Sequence, residues 1–317
     1  MPEKILQDAL IKGIRLAILP IAVLNEIKAD IEEFSVKNTL NDFQKWFIEN
    51  RYIFDTKFAD AGFVTKSLVV AVWKGKVSRL VFQYEGIKAA CLIEDGIINR
   101  GINSNPHIKQ IFDDAGFSLK YTNCLPQKRL AVCSGLCEYG RNNIAYCGDW
   151  GSFVHIGTYI SDIPSDDNYF WRDAVSMENC KTCGKCIKNC PTNAIKPDCF
   201  LIDCELCLSM TNSNDRRRIP DWVPKSAHHC LYGCYDCQEI CPANAKRLEN
   251  QNLESIYFDE TETLIMAKSR RYSDFPKETK EKLWHFSSGK DFACVVRNLR
   301  LMLENAYFQA VDYAKSK

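Results

Sequence analysis

Cys180-x2-Cys183-x2-Cys186-x3-Cys190-Pro191, answered by Cys234-x2-Cys237-x3-Cys241-Pro242, decides how this chain is read. A cubane iron–sulfur cluster needs four thiolates converging on its irons. A tight C-x2-C-x2-C loop supplies three of them. A Cys-Pro step opening the next turn aims its thiolate the other way, so in two-cluster arrangements that fourth cysteine serves the other cluster. On this pattern Cys180, Cys183, Cys186 and Cys241 hold one [4Fe–4S] cluster. Cys190, Cys234 and Cys237 hold three corners of a second, and one ligand is missing. Cys230, Cys199, Cys204 and Cys207 are the candidates, and spacing alone does not choose among them. Cys230 would give C-x3-C-x2-C, one residue off the usual loop. Buried thiols or a zinc site are the plainer alternatives. Zinc is satisfied by four ligands, however, and has no use for two x3-Cys-Pro steps.

Outward from this segment, a length of 317 residues allows two or three domains with a real hydrophobic core. Charge is balanced, 41 basic residues against 40 acidic, so no global field points to nucleic acid or an anionic membrane. Seventeen cysteines, an odd number crowded into cluster spacings, argue against a secreted disulfide framework and for a reducing cytoplasm. The long apolar run Leu16–Leu24 is interrupted by Pro20 and is too short to span a bilayer. Asn25-Glu26-Ile27-Lys28 follows it in place of a small-residue cleavage site, so it reads as core strand rather than signal. The expectation is a soluble, cytoplasmic chain with no membrane partner.

Ile14–Leu19 predicts a buried strand stopped by Pro20. Leu24, Ile27, Ile31 and Phe34 then recur at helical spacing, and a short helix is expected over Leu40–Glu49. Ser67–Trp73 reads as a strand with Arg79–Tyr84 as its partner, and Ile108–Ala115 as a helix ending at Gly116. Between Leu130 and Pro164, glycines 135, 140, 148, 151 and 157 recur among Ser134, Asn142, Asn143 and Ser152. Such a composition lets backbone approach a large cofactor, and equally well builds ordinary turns. Asp259 with Glu262 predicts a capping box. The last helix aligns Phe292, Val296, Leu299, Leu303, Ala306 and Ala310 on one face.

Arg129-Leu130-Ala131-Val132-Cys133-Ser134-Gly135-Leu136, then Tyr139-Gly140-Arg141-Asn142-Asn143, Gly151-Ser152, Ser161-Asp162 and the two cysteine halves follow in this order. Together they resemble the epoxyqueuosine reductase superfamily over about residues 65–245. Pro220-Asp221-Trp222-Val223-Pro224 resembles its shorter branch, described only as double-cluster 4Fe–4S proteins. The resemblance implies an α+β or α/β fold. Residues 1–170 would form a nitroreductase-like, cobalamin-binding α/β domain, 171–250 a two-[4Fe–4S] ferredoxin-like domain, and 251–317 a short helical segment. It implies Cys207, within Phe200–Leu208, as the eighth ligand. It implies that Ser134, Gly135, Leu136, Gly140, Arg141, Asn142, Asn143, Gly151 and Ser152 line the cobalamin, although Arg141 could instead pair with Glu138. The implied chemistry is one-electron delivery from two [4Fe–4S] clusters, supplied by a donor such as a ferredoxin or flavodoxin. Its end is reduction of an epoxide on a modified wobble base of tRNA.

Two departures bear on that activity. The family's proton-donating aspartate lies a few residues before a proline. Aligned on Pro126, this chain has Asn123, and an amide does not give up a proton as a carboxylic acid does. The family's reductases also carry a C-terminal helical-repeat domain that grips tRNA, where two or three helices are expected here. The basic runs Arg216-Arg217-Arg218 and Lys268-Ser269-Arg270-Arg271 could meet RNA but read first as solvated loops. His155 reads as a core histidine, Asp162 as structural, and His228 and His229 as neighbours of the second cluster loop. Cys133, Cys137 and Cys147 match no cluster spacing; one could be a redox-active thiol, with small-residue packing the plainer role. The reading is therefore an iron–sulfur oxidoreductase with no identified catalytic residue. A cofactor-free electron-transfer protein, or a reductive activator of a partner's corrinoid, are the alternatives.

Overall fold

Why Ile14–Pro20 becomes a strand is visible in its partner: Ser67–Val72 is buried at every position, so it needs hydrogen-bonded neighbours on both edges. A computed structural model describes residues 2–38, 40–95, 105–165, 168–214, 218–249, 253–283 and 292–315. In chain order the elements begin α1 (Pro2–Ile11), β1 (Ile14–Pro20), α2 (Val23–Lys37), α3 (Asp42–Arg51) and β2 (Ser67–Lys74). Next come β3 (Val77–Tyr84), β4 (Ile87–Glu94), α4 (Pro106–Asp114), β5 (Leu119–Thr122) and α5 (Gln127–Cys133). The short strands β6 (Glu138–Tyr139) and β7 (Ala145–Tyr146) precede β8 (Val154–Ser161). Around the cysteines lie α6 (Lys185–Asn189), α7 (Leu208–Asn212) and α8 (Asp236–Glu239). The chain continues through β9 (Glu254–Phe258), α9 (Glu260–Lys268), α10 (Lys277–Leu283) and α11 (Phe292–Lys315). This is the mixed α/β architecture expected, and no described helix is long and apolar enough to cross a membrane.

These elements divide into two compact units: Met1–Lys74 with Ile102–Cys183, and Gly75–Gly101 with Gly184–Lys317. The first is built on an antiparallel sheet in the order β1-β2-β8-β5. One face buries Val69 and Ala71 against Ile5 and Ala9 of α1 and Ile108, Ile111 and Phe112 of α4. Gly116, at φ +79°, lets the chain leave α4 in the left-handed conformation that side chains avoid. On α5, Arg129 donates from Nε to Asp30 of α2 at 2.6 Å, tying those two helices together. The His155 ring lies 5.6 Å from that of Trp73, tilted by 34°, within the sheet, and Asp162 accepts the Ser118 N–H at 2.8 Å.

The second unit corrects one pairing. Arg79–Tyr84 is not the partner of Ser67–Trp73. As β3 it runs antiparallel to β4 and parallel to β9, and β2 pairs instead with β1 and β8. Because β9 follows the cysteine segment in sequence, its pairing with β3 joins the β3–β4 hairpin to the C-terminal helices. The compact units thus cut across the linear three-part division expected from sequence. The unit's core holds Leu80, Phe82, Phe258, Met266, Val296, Leu299 and Leu303, with Phe82 and Phe258 stacked at 4.7 Å. The expected capping box forms: Asp259 accepts the Glu262 N–H at 2.8 Å, and Glu262 accepts that of Asp259 at 3.1 Å. The predicted face of α11 is the buried one through Ala306, while the side chain of Ala310 lies outside the described residues.

Candidate metal centres

Both cysteine halves sit on short helical turns, because a C-x2-C step places successive thiols about one turn apart and a following helix needs no long-range partner. All eight expected ligands (Cys180, Cys183, Cys186, Cys190, Cys207, Cys234, Cys237 and Cys241) are partly buried, and none of the seventeen cysteines forms a disulfide. The unit boundary falls inside the first loop, Cys180 and Cys183 closing one unit while Cys186 opens the other.

In the first unit the Cys180 turn is held by Arg141. Its Nε and Nη2 both donate to the Cys180 carbonyl, at 3.2 and 3.1 Å. Glu138, the partner considered for Arg141, instead lies 3.9 Å from Arg172.

In the second unit Cys190 ends α6, Cys207 opens α7, and Cys234 precedes α8. Burial pushes the Cys207 thiol up, and the nearby charges of Cys234 and Cys190 push it further, so these three sulfurs lie within electrostatic reach of one another. Cys230 is placed differently. It is only 4% exposed, and its thiol donates to the Cys234 sulfur, so it is held well above the ordinary thiol value. That bond, with His229, draws Cys234 down to about 6, which leaves a thiolate for iron at neutral pH. His229 Nε2 stands 2.7 Å from Asp236 Oδ1 and 3.8 Å from Cys234 Sγ. The Ala194 N–H donates to Cys190 Sγ at 3.3 Å. Cys199 is exposed, and Cys204 is partly buried.

A set of anchoring residues was hidden from sequence reasoning, which took α11 for an apolar face alone. Asn298, 3% exposed, donates from Nδ2 to the carbonyls of Asn212 at 2.8 Å and Leu231 at 3.0 Å. Arg297 donates to the Thr211 and Asn214 carbonyls at 2.8 and 3.1 Å, and Asn305 to that of His228 at 3.0 Å. These carbonyls flank Cys207 on one side and Cys234 on the other. The signal in sequence was two polar residues, Arg297 and Asn298, adjoining the apolar stripe at Val296 and Leu299.

The nine residues matched to a cobalamin site give a different picture. Ser134 Oγ donates to the Ala131 carbonyl at 3.3 Å, and Asn142 Nδ2 to Tyr146 Oη at 3.0 Å. Asn143 accepts from Lys128 at 3.2 Å, Arg141 holds Cys180, and Ser152 also has a protein partner. Gly140 is wrapped by Asn142 and Tyr146, while Gly151 is buried. Gly135, at φ +78°, has its open side filled by the Phe170 ring, whose Cε1 would lie 2.6 Å from an added Cβ. Leu136 is half-buried. The polar side chains of Ser134, Arg141, Asn142 and Asn143 are thus engaged within the protein.

The described basic residues of both runs are exposed. Arg216 and Arg217 lie outside the described residues, Arg218 stands 3.6 Å from Asp221, and Arg271 3.5 Å from Asp274.

Cysteine spacing points to a double-cluster iron–sulfur protein, and comparison with known proteins agrees. Residues 179–244 match the family model "4Fe-4S double cluster binding domain". The epoxyqueuosine reductase of Cyclobacterium marinum is 29% identical over 164 residues, 52% of this chain and 49% of that protein. The one from Francisella cf. novicida is 27% identical over 192 residues, 59% of this chain and 51% of that protein. The chain therefore spans about half the length of these curated relatives. Among solved structures, the epoxyqueuosine reductase of Streptococcus thermophilus shares the fold with a TM-score of 0.60 at 14% identity. The alignment covers 96% of this chain and 81% of that one. An epoxyqueuosine reductase solved with an epoxyqueuosine-modified tRNA-Tyr stem loop gives 0.64 at 20% identity, with the same coverage. The chain is thus similar to epoxyqueuosine reductases over about half its length, and shares with them a double-cluster 4Fe–4S segment.

Proposed function

We propose that the chain is an iron–sulfur oxidoreductase that accepts electrons from a ferredoxin- or flavodoxin-type donor and passes them singly, at low potential, to a substrate. Cys180, Cys183, Cys186 and Cys241 would hold one [4Fe–4S] cluster, and Cys190, Cys207, Cys234 and Cys237 the other. When bound, the clusters supply one-electron transfers whose potential depends on burial and on hydrogen bonds to sulfur. The observation that supports this reading is the match of residues 179–244 to a double-cluster 4Fe–4S family, with Cys207 in electrostatic reach of both Cys190 and Cys234. The residues around them would tune the centre. Donors to sulfur from Ala194 N–H and the Cys230 thiol favour its more negative, reduced state. Arg141 steadies the first loop through the Cys180 carbonyl, and Asn298 steadies the second.

Protein produced anaerobically with cobalamin supplied is expected to hold about eight irons per chain and no stoichiometric cobalt, by elemental analysis. The Cys199→Ala protein should keep all of that iron, its thiol being exposed and apart from the converging set. Markedly fewer irons, or zinc in their place, would falsify the two-cluster reading. One cobalt per chain would overturn the corrinoid-free one.

The electron-transfer alternative, without epoxide chemistry, is favoured by a specific observation. Asn123 stands on an exposed loop where the family's reductases place their acidic proton donor. Similarity of fold to the tRNA-bound neighbour supports an RNA substrate. The amide at position 123 weighs against it. Expressed in cells lacking their own epoxyqueuosine reductase, the chain is expected to leave tRNA without queuosine. Its reappearance, detected by nucleoside mass spectrometry, would establish the reductase activity.

A further inference from the structure

Cys137 and Cys147 flank the β6–β7 hairpin, and the strand register places them opposite each other. Glu138 pairs with Tyr146 and Tyr139 with Ala145, so the next step outward sets Cys137 against Cys147. Gly140 N donates to the Ile144 carbonyl at 2.8 Å, which marks a hydrogen-bonded pair and, by alternation, makes 137 and 147 a non-hydrogen-bonded one. Their amides agree: Cys137 N–H donates to Ala131 at 3.0 Å and Cys147 N–H to Gly151 at 2.9 Å, not to each other. Such pairs hold their Cα atoms about 4.5 Å apart, inside the range of about 4.4–6.8 Å that a disulfide spans.

Side-chain chemistry points the same way. The Cys137 thiol donates to the Cys147 sulfur, and Arg15 Nη1 approaches that sulfur at 3.3 Å. Arg15 is held in place by Asp149, 2.9 Å from its Nη2, and by the face of Trp150, 4.0 Å below its guanidinium. Together the Cys137 hydrogen bond and the Arg15 charge draw the Cys147 thiol down to about 7. The other buried thiol of this segment, Cys133, is pushed up to about 11 by burial. Both members of the pair are buried, but Arg15 and Gly148, which flank Cys147, reach solvent.

We propose that Cys137 and Cys147 are a reversible dithiol–disulfide pair, with Cys147 as the attacking sulfur and Arg15 as the residue that positions and stabilises its thiolate. The oxidant is a low-molecular-weight disulfide. The Cys147 thiolate attacks one of its sulfurs, forming a mixed disulfide and releasing one thiol. Cys137 then gives up its proton and attacks the Cys147 sulfur, releasing the second thiol. The protein loses two electrons, and both protons leave on the released thiols. Oxidation would clamp the two ends of the hairpin whose loop carries Arg141, the residue that grips the Cys180 carbonyl. The pair does not depend on the cluster assignment.

Trypsin provides a clean readout, because cleavage after Arg141 leaves the two cysteines on separate peptides, 130–141 and 142–172. The iron-loaded chain, equilibrated anaerobically in oxidised glutathione, alkylated and digested, is expected to yield these peptides linked, with its cluster absorption retained. Dithiothreitol should separate them. The link should persist in Cys133→Ser, vanish in Cys137→Ser, and form about tenfold more slowly in Arg15→Gln, as expected when a cation that favours the thiolate is lost. Fully alkylated, unlinked peptides would overturn the proposal, as would a link that uses Cys133 or one that appears only as iron is lost.

Discussion

Replacing Cys207 by alanine is expected to remove about four of about eight irons per chain, while Cys230→Ala keeps them all. The expectation rests on what each sulfur touches. Cys207 opens α7 and shares an electrostatic neighbourhood with both Cys190 and Cys234. Cys230 is more deeply buried, yet its thiol is engaged as a donor to Cys234 and is held in its protonated form. With its thiol directed at Cys234, Cys230 is read as a neighbour of the second centre, and the family resemblance gives the eighth position to Cys207. Losing Cys230 should therefore change the character of the second centre without emptying it. Its removal deletes one hydrogen bond to a ligating sulfur, so the potential of that centre should fall while its iron stays. Iron analysis beside low-temperature electron paramagnetic resonance of dithionite-reduced protein separates the two effects. The reverse pattern, iron lost from Cys230→Ala and kept by Cys207→Ala, would exchange the two assignments.

The second large effect is expected far from any cysteine in sequence. Asn298→Leu keeps the branched outline of the side chain, with bulkier methyl groups, but deletes the donor that serves the carbonyls of Asn212 and Leu231. A buried carbonyl left without its partner costs roughly 1–3 kcal/mol, so the loss of two should lower stability by about 2–5 kcal/mol. Denaturant titration of the apo chain reads this as a lower midpoint at unchanged slope. Because Asn212 follows Cys207 and Leu231 precedes Cys234, the same variant should reconstitute the second centre poorly and the first normally. An unaltered midpoint together with full iron would show that α11 packs against the cluster loops without positioning them.

Legibility in the sequence followed distance along the chain. The cysteine loops could be read because every ligand of a C-x2-C-x2-C turn lies within a few residues of the next. The Asp259–Glu262 capping box and the apolar face of α11 were readable for the same reason. The run Ser67–Trp73 was recognisable as a strand from its continuous apolar character, yet its neighbours were not. Backbone hydrogen bonding is identical for every sequence, so nothing in β2 itself selects β1 and β8 over β3. Arg141 and Glu138 sat close enough in sequence to suggest an ion pair. Folding instead gave the arginine the Cys180 carbonyl, and Glu138 came to lie near Arg172.

The spacing of seven candidate cluster cysteines, the balance of helix and strand, and the resemblance to a superfamily were already written in the order of residues, since each depends on local spacing. Tertiary structure alone set Cys207 within electrostatic reach of Cys190 and Cys234 and placed the Cys230 thiol against Cys234. It also filled the glycine-rich turn with its own side chains and set Cys137 across from Cys147. All four are contacts between segments, and contacts of that kind are chosen by packing and burial of the whole chain, which no single stretch contains.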